Sequence, residues 1–188
     1  MKRVFESVFV EQCAPTLAGV KPASLFRFGA ESIDTIRDHT VTWDNILRPL
    51  GLRAVVLKEC PAAQAAMIYV YRVGWLKDIL SDNKNLDFLK QIGYRNAPVP
   101  NLLQQLSERL CLEREYPHEI GIFLGYPLQD VIGFIENRGW NYTCCGCWKS
   151  YSDPEFAQKC FACYHTCTRI YKQMYERGTP IPRLIVAA

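Results

Sequence analysis

The chain has 188 residues, 49% of them hydrophobic and 22% charged, with a formal net charge of +3. That length can bury a core without disulfide or metal staples. The 22 Lys and Arg are interspersed with 19 acids, which leaves no electrostatic footprint for nucleic acid. No apolar run approaches the roughly 20 residues of a membrane span, and Glu6 and Glu11 interrupt the apolar positions that a secretory signal would need. The expectation is one cytoplasmic domain over residues 1–188, with neither nucleic acid nor membrane as a partner. Nine cysteines, an odd number, point to thiols, metal or catalysis rather than a disulfide framework.

In chain order, Val4, Phe5, Val8 and Phe9 recur at helical spacing and predict a helix over 2–12 that stops near Cys13 and Pro15. A loop with Gly19 and Pro22 follows. Ser32 to Leu47 predicts a second helix, closed by Pro49 and Gly51. The period then changes: Leu52 to Leu57 and Ala66 to Tyr71 are short, β-rich apolar runs that suit buried strands. Helices are expected at 75–80, 85–92 and 100–112, the last with Leu102, Leu103, Leu106 and Leu110 on one face.

Glu119 to Leu124 predicts a buried strand ended by Gly125. Pro127 then opens a helix with a stripe of Leu128, Val131, Ile132 and Ile135 that Gly139 stops. Residues 142–150 read as one strand. Ser152 to Glu155 has capping-box spacing with proline in the first turn, so a long helix is expected from 154 to Gly178. The fold class is α+β, with α/β as the other form: a small sheet of about four strands packed by six or seven helices.

By spacing alone, Cys144, Cys147, Cys160 and Cys163 match a four-thiolate zinc site. Helical phase places Cys160, Cys163 and Cys167 in line with Phe156, Ile170 and Met174, as a buried stripe. On a strand, Cys144 and Cys145 point to opposite faces. Core packing therefore accounts for most of these thiols. No cofactor is expected, zinc or an iron–sulfur cluster being the alternative, with Cys145 as the one thiol kept as a candidate ligand.

A sharper constellation is Gln12, Cys13 and Lys21 with His118. A thiol just ahead of a Pro15-initiated helical turn would sit at the positive end of a helix, which favours thiolate. A His at the mouth of a buried strand could serve as its general base. His118 to Tyr126 (HEIGIFLGY) resembles the His-strand of papain-like cysteine peptidases, and the chain order Cys then His also matches. Gln12 departs from that pattern by standing next to the Cys, and Asn141 is the candidate for orienting the imidazole. The resemblance implies a thiol-dependent hydrolase or acyltransferase with a papain-like arrangement.

Three longer stretches, Cys13 to Lys21 (CAPTLAGVK), His118 to Pro127 (HEIGIFLGYP) and Cys145 to Pro154 (CGCWKSYSDP), resemble the family catalogued as domain of unknown function 3793. That resemblance spans nearly the whole chain and implies a cytosolic protein of anaerobic Firmicutes, without implying an activity. It assigns Cys145, Gly146, Trp148 and Lys149 to the motif and leaves Cys144, Cys147 and Cys160 particular to this chain. The expected site is thus Cys13, His118 and Gln12 for catalysis, with Lys21, Glu119, Tyr126, Trp148 and Lys149 binding a small-molecule or peptide substrate. A metal-binding or redox accessory protein and a non-catalytic interaction module are the other readings.

Overall fold

The structure, a computed structural model, describes residues 4–112 and 116–187. It is mixed helix and sheet, and its chain falls into two compact units, one of residues 1–75 with 166–188 and one of residues 76–165. The expected residues 2 and 3 of the first helix lie outside the described residues.

The first unit begins with helix α1, Phe5–Leu17, followed by strand β1, Ala23–Gly29. Helix α2, Ile33–Leu47, is capped by Ser32, whose hydroxyl accepts from the Thr35 N–H. A 3₁₀ turn then ends at Gly51 with a left-handed φ of 78°. Strands β2, Leu52–Cys60, and β3, Ala65–Arg72, complete an antiparallel sheet in the order β1-β3-β2. One face of the sheet, with Phe26, Phe28, Ala54, Ile68 and Val70, packs on Phe5, Phe9, Ile36, Trp43 and Leu47 of the two helices.

Two expectations fail here. Residues 23–29 are a strand, not loop; their alternation of Ser24, Phe26 and Phe28 against Leu25 and Arg27 is a period-2 pattern. Helix α1 also runs through Cys13 to Leu17 with Pro15 inside it. A proline so near the C-terminus removes one internal hydrogen bond, and the Val20 and Lys21 N–H groups close on the Pro15 carbonyl. Cys13 therefore lies late in a helix, not ahead of the start of one.

The ends of these elements are tied by Arg72, among the largest fully buried side chains. Its Nε donates to the Thr16 carbonyl at 2.8 Å, and its Nη2 donates to the carbonyls of Leu17 and Val186. A guanidinium at the C-terminal end of α1 satisfies carbonyls that have no helical partner and complements the negative end of the helix dipole.

The second unit contains most of helix α3, Val73–Ser81, then α4, Asn83–Gln91, and α5, Val99–Leu112. Leu102, Leu103, Leu106 and Leu110 of α5 are buried, as their spacing predicts. After these come a four-residue helix α6, Ile120–Phe123, helix α7, Leu128–Glu136, and a hairpin of β4, Cys144–Cys145, with β5, Lys149–Ser150. Helix α8, Pro154–Glu176, starts in this unit and ends in the first.

Four readings are corrected in this unit. Residues 119–124 are not a strand: the run is apolar and buried throughout, a pattern that cannot tell strand from helix. Leu124 N–H bonds the Ile120 carbonyl and Tyr126 N–H bonds that of Gly121. Residues 142–150 are a hairpin, with Gly146 in the turn at a place where a Cβ would collide with the Phe161 ring. Ile135 is exposed, and α7 buries Asp130, Val131 and Gly133 instead. On α8 the buried residues are Ala157 and Phe161, whereas Phe156, Cys163, Ile170 and Met174 are exposed. The buried face of that helix is thus rotated away from the thiol stripe.

Replacing Arg72 by Met would take one donor from each of the Thr16, Leu17 and Val186 carbonyls, leaving Thr16 the Gly19 N–H and Leu17 the Val186 N–H. Urea denaturation should show a loss of about 2–4 kcal/mol, and a loss under about 1 kcal/mol would mean those carbonyls regain partners at little cost.

Candidate functional site

The second unit holds a cavity of about 190 Å³ lined by His118, Tyr126, Phe134, Cys147, Trp148 and Lys149, with Gly121, Asp130 and Val131 behind them. Its framework begins at Asp130 on α7. One carboxylate oxygen accepts from the Trp148 indole N–H at 2.8 Å, and the other accepts from the Tyr151 N–H, the Ser152 N–H and the Ser152 hydroxyl, all within 2.9 Å. Burial alone would raise this carboxyl, but the four donated hydrogen bonds outweigh it and hold the group below its ordinary value.

The same contact explains a misplaced cap. Asp153, not Ser152, caps α8, accepting from the Phe156 N–H at 2.9 Å, while the Ser152 hydroxyl is taken by Asp130. Trp148, fixed by its indole N–H, stacks on Tyr126 at 4.9 Å and meets Phe161 edge-on at 4.6 Å. Cys144, Cys147 and Cys160 pack around this small aromatic cluster.

Phe134 and the His118 ring, centroids 4.7 Å apart, form a further part of the lining. His118 is exposed, in the turn that leads into α6 rather than at the mouth of a strand. Gly121 lets α7 close behind the cavity, since a Cβ there would meet Val131 at 2.8 Å. Lys149 stands on β5 and donates to the Gly139 carbonyl at 2.7 Å, with its Nζ 4.9 Å from the Tyr142 ring centre and 5.8 Å from that of Phe134. An ammonium has three donors, so this bond leaves two.

Four of the expected residues, His118, Tyr126, Trp148 and Lys149, are thus brought to one cavity. The others are placed elsewhere. Cys13 lies in the core of the first unit at 0% exposure, and burial pushes its thiol up, well past the ordinary range. The premise of a thiolate at a helix N-terminus does not hold for it. Gln12 is exposed on α1 and Lys21 is half-buried, both in the first unit. Glu119 is buried beside the cavity residue His118, but its Oε1 accepts from the Tyr94 hydroxyl at 3.0 Å and the Arg109 Nε at 2.8 Å. Asn141 donates to Asn137. Cys145 is exposed, and no group of three His, Cys, Asp or Glu suited to a metal occurs among the described residues.

Phe134 and Asp130 were not singled out from the sequence. The available signal was a lone carboxylate beside Val131 on an apolar helix face, which a buried structural role would explain.

A family sequence model described as Protein of unknown function (DUF3793) matches residues 9–185. The chain belongs to the DUF3793 family. Among curated proteins and solved structures, nothing matches it. Two of the stretches that carried the DUF3793 resemblance, 118–127 and 145–154, supply seven of the cavity's ten lining residues between them, all but Asp130, Val131 and Phe134. No helix among the described residues is long and apolar enough to cross a membrane.

Two outcomes follow from this geometry. Brief iodoacetamide treatment of the native protein should modify Cys145 and Cys163 and leave Cys13 unmodified until denaturant is added, as read by peptide mass spectrometry; early labelling of Cys13 would contradict its burial. Asp130, held below the 3.8 of an ordinary carboxyl, contributes stability that is present above that value and lost as pH falls through its folded-state value. Asp130→Asn should therefore lower stability by about 1–3 kcal/mol at pH 7 and flatten the decline below pH 4 in acid unfolding. An unchanged acid limb would show that Asp130 carries no linkage.

Proposed function

We propose that the second unit binds a small planar organic anion, such as an aromatic carboxylate, between the Tyr126–Trp148 stack and Phe134. The reading is carried by one observation: two motif stretches far apart in sequence meet at an aromatic-walled cavity with a single lysine at its rim. The volume of about 190 Å³ is somewhat above the roughly 150 Å³ that holds a benzene ring. Apolar walls with a few placed polar groups are the usual make-up of such sites.

In this reading Lys149 directs its two remaining N–H groups at the anion, with its position fixed by the Gly139 carbonyl. His118, exposed at the rim, donates to or accepts from the ligand. Trp148 and Tyr126 supply the flat surface. Chemistry between Cys13 and His118 is not carried forward, because a thiol sealed in an apolar core stays protonated. The metal or redox reading gathers no ligand set among the described residues. Action in the cytoplasm is supported by the free thiols of the described cysteines.

The test is titration with benzoate, nicotinate and indole-3-carboxylate, followed by the Trp148 indole N–H resonance. At least one should shift that resonance saturably, and Lys149→Met should weaken binding about 10- to 100-fold, the worth of a hydrogen bond to a charged group. Equal affinity in Lys149→Met, or no saturable shift with any of the three, would overturn the proposal.

A further inference from the structure

The two edges of the first unit's sheet are built differently. Arg72 N–H bonds the Pro22 carbonyl and Ala30 N–H bonds that of Gln64, at either end of the β1–β3 ladder. In the antiparallel register that runs from Ala23 opposite Tyr71 to Gly29 opposite Ala65, hydrogen-bonded and open pairs alternate. Ser24, Phe26 and Phe28 therefore turn their main-chain groups to β3, and Leu25, Arg27 and Gly29 turn theirs to the free edge. Among the described residues those outward groups have no partner.

The other edge is closed. The outward N–H of Ala54 on β2 is taken by the Asp44 carboxylate at 3.0 Å, Arg53 and Arg48 bond the same carboxylate, and a register shift between Val56 and Lys58 breaks the strand's regularity. Bulges and covering side chains are how proteins protect sheet edges from pairing. The β1 edge carries neither device. It borders a groove of about 480 Å³ whose other wall is Val8 and Gln12 of α1. Arg27 is exposed there and has no acidic partner among the described residues.

We propose that the free edge of β1 is a docking site for an extended peptide strand of a partner protein that places a carboxylate opposite Arg27. Main-chain groups of Leu25, Arg27 and Gly29 supply the ladder, as in strand addition to other sheet edges. From Leu25 to Gly29 the edge measures about 13 Å at the rise of a strand, which five residues of peptide cover. A second copy fits less well: self-pairing that uses all three outward residues sets Arg27 against Arg27, a like-charge pair.

The probe is an acetylated, amidated pentapeptide of alternating threonine and valine with glutamate at its centre, and its lysine counterpart, added to the full chain. Amide exchange at Leu25, Arg27 and Gly29 is expected to be fast in the free protein and slowed by the glutamate peptide. Leu25→Pro removes one outward N–H and no β3 bond, so it should weaken binding at least about tenfold. Arg27→Glu, at an exposed position that bonds no other side chain among the described residues, should reverse the preference between the two peptides by about fivefold or more. Protection of these amides in the free monomer would overturn the proposal, as would equal peptide affinity across the variants. Concentration-dependent protection with doubling of the mass would also overturn it, in favour of a second copy.

Discussion

The second unit is organised by one carboxylate. Asp130 sits on a helix whose neighbours are apolar, yet it takes four hydrogen bonds from three residues, Trp148 in the hairpin and Tyr151 and Ser152 just after it. Without those bonds the burial of a charge would be prohibitive, and without the charge the Tyr151 and Ser152 amides would lack an acceptor. The two requirements close on each other. The consequence is that Trp148 has one orientation, and the cavity wall is set by α7 although the indole belongs to the hairpin.

The first unit solves a similar problem with the opposite sign. Arg72 gathers carbonyls from the end of α1 and from Val186, so a single cation joins the end of a strand, the end of a helix and the C-terminal segment. Arg72 bonds main-chain carbonyls and Asp130 takes half of its bonds from main-chain N–H groups, which pins where segments end as well as how side chains pair. Asp44 likewise ties one main-chain donor, the Ala54 N–H, while pairing with the side chains of two arginines.

These ties explain what the sequence made legible. Helix α2 could be read because its cap, its period and its Gly51 stop are all local, and β2 and β3 because β-rich runs sit between turn signals. The Glu119 to Leu124 run was misread because every residue in it is buried, so the period that distinguishes strand from helix is erased. The hairpin was hidden by a contact distant in sequence, Gly146 on Phe161. The capping box at Ser152 failed for a related reason: its hydroxyl had a better partner in Asp130, and no local rule contains that residue. Of the site, His118, Tyr126, Trp148 and Lys149 were found as motif residues. Their convergence was not legible, since it depends on α7, and Cys13 drew notice by its spacing from Pro15 while tertiary packing put it out of reach of solvent.

The fixed indole has a mechanical consequence. Tyr126 is stacked on a ring that is itself pinned at its nitrogen and braced edge-on by Phe161, so the wall does not swing aside to admit bulk. For the ligand proposed above, a wall that holds its plane would favour a flat sp²-hybridised ring, which lies along it, over a puckered saturated ring of the same outline, which touches it at fewer points. Shape selectivity of this kind needs no additional polar contact, and it resides in a side chain, Asp130, whose carboxylate is already occupied by the protein.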